Sequence, residues 1–136
     1  MNHMTGSEQF AMHGAMGAVF QIAGSSSQLL IDTRSLSGFA DHADQSIRMA
    51  GQVGSQVKMR VGGVWLIANI RTVTLDRRDP NIIVADIDFL GEGDEEAGSG
   101  RITHFRRGIT RYPTPGTEIF PVSTADMHQI LSLIHI

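Results

Sequence analysis

A chain of 136 residues has room for one domain with a modest core, burying roughly 65 to 70 % of its unfolded surface, and not for two. It is 41% hydrophobic and 18% charged with a formal net charge of -3, and no apolar run approaches the ~18 residues of a membrane-spanning helix, which excludes the disordered and helical-membrane classes. The absence of cysteine excludes disulfides, thiolate zinc sites and cysteine nucleophiles; no apolar stretch follows a basic N-terminus, so no signal peptide is read and a cytoplasmic location is expected.

Residues 1–16 hold four methionines and show no sustained period of 2 or 3.6, so they read as a loose leader within which the true start lies. From Gly17 the pattern is that of short strands. Ala18, Phe20 and Ile22 alternate with Val19 and Gln21, Gly24 and three serines make a turn, and residues 28–32 return as a second strand. Residues 33–52 are small and polar and read as a long loop or a short helical excursion. The clearest strand is 55–61, with Val57, Met59 and Val61 on one side and Gln56, Lys58 and Arg60 on the other; Gly62 and Gly63 then form a hairpin turn. Residues 64–75 are long and β-branched, which predicts a strand that bends and is covered on both faces for part of its length. After the turn at 76–80, residues 81–90 alternate again, placing Ile83, Ala85, Ile87 and Phe89 inside and Asp86 and Asp88 outside.

Residues 91–100 (GEGDEEAGSG) have the composition of a solvated acidic loop without fold information. A strand at 101–106, a rigid Pro- and Gly-rich turn through residue 116 and a last strand at 117–122 follow, where Pro121 requires an edge or a barrel seam. Ser123 and Asp126 have the spacing of a capping box, with Asp for the usual Glu, ahead of Met127, Ile130, Leu131 and Ile134 at helical intervals. About six short strands joined by hairpin turns, with no helix alternating between them, predict an all-β chain: a small antiparallel β-barrel followed by a short C-terminal helix. Closure removes the exposed edges that strands this short would otherwise leave.

The chemistry available is narrow. Of 11 basic residues ten are Arg, and the single lysine, Lys58, lies in mid-strand. A P-loop needs Gly-Lys-Ser/Thr at a helix start, so the chain has no such motif and ATP hydrolysis by these residues alone is excluded. Asp41, His42, Asp44 and His104 are oxygen and imidazole ligands in no recognised metal spacing and read as solvated loop residues. Asp86 and Asp88 share a strand face about 7 Å apart, within range of acid–base work, though a solvated outer face accounts for them. The strongest electrostatic feature is residues 101–111, where Arg101, Arg106, Arg107 and Arg111 occur without an acid, against seven basic and twelve acidic groups in residues 1–100. These arginines suit a protein interface, including one with the acidic residues 92–96 of an identical copy. The alternative is a nucleic-acid surface with Phe105 and Tyr112 as stacking platforms.

Four segments taken in order carry a resemblance: Gly17-Ala-Val-Phe-Gln-Ile-Ala-Gly24, Val53-Gly-Ser-Gln-Val-Lys-Met59, Ala85-Asp-Ile-Asp-Phe-Leu-Gly-Glu92, and Arg107-Gly-Ile-Thr-Arg-Tyr-Pro-Thr-Pro-Gly116. Together they resemble the N-terminal HAS barrel of bacterial HerA-like ATPases over residues 17–130. The Leu90-Gly-Glu92 and 107–116 elements are the most specific. The resemblance implies a non-catalytic collar of a hexameric, double-strand DNA translocase or helicase, aiding ring assembly and docking a partner such as a NurA-type nuclease. It places ATP and Mg in a following domain and carries no catalytic, cofactor or metal residue onto this chain. Residues 131–136 (LSLIHI) are what one frame of a transposase sequencing adapter, CTGTCTCTTATACACATC, encodes, so they are expected to be read-through at the end of a truncated frame.

Overall fold

The computed structural model describes residues 14–24 and 26–134. Seven strands and three helices follow in the order β1 (Gly17–Gln21), β2 (Ser27–Asp32), α1 (Thr33–Phe39), α2 (Gln45–Arg48), β3 (Gln56–Val61), β4 (Val64–Leu75), β5 (Ile82–Glu95), β6 (Ile102–Arg107), β7 (Glu118–Pro121) and α3 (Thr124–Ile134). The sheet order is β2-β1-β7-β3-β4-β5-β6, and β2 also pairs with β5. That second pairing, from Ser27↔Ile87 to Asp32↔Ile82, closes six strands into an antiparallel barrel. β6 is the additional strand, attached to the second half of β5.

Alternation builds the barrel wall. In β3, Val57 and Met59 are fully buried while Arg60 faces out, and the β3–β4 hairpin closes at Val61↔Val64 across Gly62, whose φ of 64 needs glycine. β4 bends at two register shifts, after Ile67 and after Ile70. Val64, Leu66, Ala68 and Ile70 line the interior with Val19, Leu29, Ile31, Ala85, Ile87 and Ile119. Trp65 and Ile67, on the opposite face of β4, are buried as well, beneath Ile102, Phe105, Val122 and Ile130 from β6, the β7–α3 junction and α3. The strand is thus covered on both faces along its first half, as its sequence predicts. β7 is a four-residue seam that joins β1 at Gly17↔Ile119 and β3 at Val57↔Pro121, with Pro121 at its last position.

The capping box at α3 is complete: Asp126 N donates to Ser123 Oγ at 3.1 Å and Ser123 N to Asp126 Oδ2 at 3.2 Å. Lys58 Nζ donates to the same Asp126 Oδ2 at 2.8 Å, fixing the helix start to β3. Residues 33–52 resolve into two short helices, each capped by an aspartate: Asp32 accepts from Arg34 N and Asp44 from Ser46 N.

Two expectations are corrected. Met16 is fully buried in the barrel core, its N donating to Ile119 O and its O accepting from Asp32 N. Met16 of the expected leader is therefore part of the fold, and residues 1–13 of that leader lie outside the described ones. Residues 91–95 are strand rather than loop: β5 runs to Glu95, and Gly91, Glu92 and Gly93 are buried. Glycine is required there by close approach, since a Cβ on Gly91 would sit 2.2 Å from Arg106 O. Ser25 of the β1–β2 turn and residues 135–136 of the terminal segment lie outside the described residues; Ile130 is the last buried side chain among those described.

Candidate functional site

The basic stretch 101–111 forms β6 and the turn beyond it. Opposite β5, Glu92 pairs with Arg106 and Asp94 with Thr103, so His104 and Phe105 together face Gly93 in a bulge. His104 takes φ 52, and this left-handed residue re-aims its neighbours. Phe105 turns inward, 5% exposed, into the cluster around Trp65. It presents no ring to a ligand, which removes the stacking role expected of it.

Arg106 turns the other way, over the end of β5. Its Nη2 lies 2.9 Å from Glu92 Oε2 and its Nη1 3.2 Å from Asp94 Oδ1. The acidic residues that the sequence offered as an intersubunit partner for this arginine are therefore its partners within one chain. Glu92 is 1% exposed, and it also accepts from Thr110 N and from Thr110 Oγ1 at 3.0 and 3.2 Å. Burial pushes its carboxyl up. The Thr110 and Arg106 hydrogen bonds outweigh that and hold it below the ordinary carboxylate range.

The consequence is a clamp. Glu92, reaching from β5, fastens the turn after β6, so Ile109 packs against the barrel interior and Tyr112 meets Phe89 edge-on with ring centroids 5.9 Å apart. Arg111 lies over the β3–β4 turn, its Nη1 2.6 Å from where a Cβ on Gly62 would be. Arg107 and Arg111 are exposed and Tyr112 is 58% exposed. Arg101 is exposed at the far end of β6 beside Ala125, His128 and Gln129 of α3. Among the described residues, none of Arg101, Arg107 and Arg111 has a salt bridge. The stretch thus presents three free guanidiniums, Arg107 and Arg111 with Tyr112 on the turn and Arg101 apart from them.

The remaining candidates are occupied structurally. Asp44 caps α2 and accepts from Thr124 N at 3.0 Å and Thr124 Oγ1 at 2.6 Å, bonds that hold its carboxyl below its ordinary range. His42 Nδ1 accepts from Asp44 N. His104 is 82% exposed, 3.5 Å from Asp94. Asp86 is bound by Thr72 and Gln28, whereas Asp88 meets Arg71 at 2.6 Å; each aspartate has its own cross-strand partner and the two form no acid–base pair. Among the described residues no three His, Asp or Glu side chains converge as a metal-binding cluster. A groove of about 490 Å³ runs between α2 and the start of α3, past Met49, Val53 and Met127. Two of its polar side chains are already spent, Ser46 Oγ on Thr124 Oγ1 and Gln56 Nε2 on Asn69 Oδ1.

Glu92 and Thr110 are the residues that sequence reasoning undervalued. The signal available was a single acid set between glycines at the end of a strongly alternating strand. No described helix is long and apolar enough to cross a membrane. No protein-family model matches the chain, and no curated protein is significantly similar to it.

Proposed function

We propose that this chain is a non-catalytic barrel module of a HerA-like hexameric, ATP-dependent DNA translocase or helicase, serving ring assembly and the docking of a partner such as a NurA-type nuclease. The observation that carries the reading is the Glu92 clamp. The two segments in which the sequence most resembles that family, Leu90-Gly-Glu92 and residues 107–116, meet in space through Glu92 and Thr110. They do so on a closed six-stranded antiparallel barrel, the fold the resemblance implies.

The clamp also suits the docking role. It holds Arg107, Arg111 and Tyr112 outward on a rigid turn, and guanidinium forks with an aromatic neighbour are residue types enriched at protein interfaces. A nucleic-acid role has less support, since Phe105 is buried and Arg106 is neutralised by Glu92 and Asp94. ATP and Mg belong, in this reading, to the parent's ATPase domain. The residues present here do not fit a nucleotide: Lys58, the only lysine, spends its ammonium on Asp126 in mid-barrel, so no nucleotide step is assigned to this chain. A cytoplasmic location accompanies the reading.

Electron microscopy and ATPase assays on the full product of the parent gene test it. Six-fold rings with DNA-stimulated ATP hydrolysis are expected, whereas a protein that forms no ring and hydrolyses no nucleotide overturns the reading.

A further inference from the structure

The two ends of the barrel differ in charge. Residues 22–26, 62–63 and 108–117 cross the end from which β2, β4 and β7 set out. These connections contain no carboxylate; Arg111 is their one charge, and Arg107 borders them as the last residue of β6. The connections at the other end, 33–55 and 76–81, mix four Asp with four Arg. Neither Arg107 nor Arg111 has a salt bridge among the described residues. The acids of residues 92–96 are engaged elsewhere: Glu92 and Asp94 with Arg106, Glu95 with Arg60 at 2.7 Å, and Glu96 with Ser99 Oγ at 2.8 Å. The loop that bears Arg111 also carries exposed aromatic surface, Tyr112 being 58% exposed on its seat against Phe89. Farther along the same loop Gly116 N donates to Val19 O at 2.7 Å, and the next residue, Phe20, unpaired in the β1 bulge, is 52% exposed.

We propose that this end of the barrel receives an acidic segment of a different protein, its carboxylates on Arg107 and Arg111 and an apolar side chain against Tyr112. The proposal rests on the docking reading above and names the chemistry of the docked partner. Two guanidinium forks with no carboxylate of their own match acids supplied from outside, and planar carboxylates suit them best. A second copy of the chain fits less well, because its residues 92–96 are engaged and its opposite end brings as many arginines as acids. A nucleic-acid strand fits less well too. It would lay its phosphates along a longer track of cations than these two arginines offer, and it would meet a chain of net charge -3. A short acidic segment answers only to the local charge.

Selection of short random peptides displayed on phage against the immobilised chain tests the proposal. The recovered sequences should share paired Asp or Glu beside an apolar residue. By fluorescence anisotropy, a synthetic copy of the most enriched peptide should bind at least about tenfold more tightly than its Asn and Gln counterpart. Arg107→Ala with Arg111→Ala, at exposed positions, should leave the melting curve in place and weaken the same peptide at least about tenfold. Recovered peptides without acidic residues, or equal binding to the double variant, overturn the proposal. So does tighter binding of a DNA oligonucleotide than of the peptide, or a dimer of the chain in sedimentation equilibrium that the double variant abolishes. Any of these outcomes beside six-fold rings with DNA-stimulated ATP hydrolysis in the full product removes this proposal alone. Absence of those rings and of that hydrolysis removes the HerA-like reading, whatever the peptides do.

Discussion

Replacing Glu92 with alanine removes the side chain whose hydrogen bonds tie the turn after β6 to β5. Four hydrogen bonds go with it: three from Thr110 and one from Arg106 at 2.9 Å. Arg106 is 44% exposed and keeps Asp94 at 3.2 Å, so water and Asp94 compensate it. Thr110 is exposed as well, so water compensates its N–H and hydroxyl in part, and the cost falls on the lost bonds to a charged acceptor and on the cavity left at a 1% exposed position. Hydrogen bonds to a charged group contribute about 1.5–3 kcal/mol, lowered here because water reaches both surviving partners, and the cavity adds to the loss. A loss of about 2–4 kcal/mol is the result expected from urea denaturation, equivalent to roughly 6–20 °C in Tm for a domain of this size. Glu92→Gln keeps the shape and one acceptor and should lose less. The pH dependence has a definite sign. A carboxyl whose folded pKa lies below its unfolded value contributes stability that is fully present above about pH 4.3 and is lost as pH falls through the folded pKa. Below about pH 4.3 the wild type should therefore lose urea stability faster than Glu92→Gln. An alanine variant within about 0.5 kcal/mol of wild type, or parallel acid profiles for wild type and Glu92→Gln, would refute the clamp.

Two further outcomes follow from the same contacts. Asp44→Ala removes the α2 cap and the bonds to Thr124; it should cost about 1 kcal/mol and speed amide exchange in the first turn of α3 in hydrogen-exchange mass spectrometry, and unchanged exchange there would contradict the linkage. Phe105→Ala should destabilise by about 3–5 kcal/mol as a core truncation, whereas Arg107→Ala with Arg111→Ala should stay within about 0.5 kcal/mol in thermal melts; equal effects would mean that the basic turn is structural rather than presented for a partner.

The barrel was legible wherever one face of a strand is buried, because period-2 alternation then has a physical cause. Val57 and Met59 against Lys58 and Arg60, and Ala85 and Ile87 against Asp86 and Asp88, show it. The Ser123–Asp126 capping box was legible because its bonds are local. What escaped depends on partners distant in sequence. Residues 91–95 look like loop because glycine and acid rarely build strands, yet Gly91 admits the backbone at Arg106 and Glu92 is paid for by Thr110, 18 positions away. The intrachain pairing of Arg106 and the inward turn of Phe105 follow from the bulge at His104, which no pattern of side chains announces. The site was legible as a charge cluster and not as a geometry.

The most direct test of the central claim is the nucleotide sequence of the parent locus downstream of the codon for Ile130. The HerA-like reading predicts an open frame that runs, from the end of this barrel, into a glycine-rich segment closing on Gly-Lys-Ser/Thr between a strand and a helix. A native stop codon at that point, or continuation into an unrelated domain without a P-loop, would contradict it.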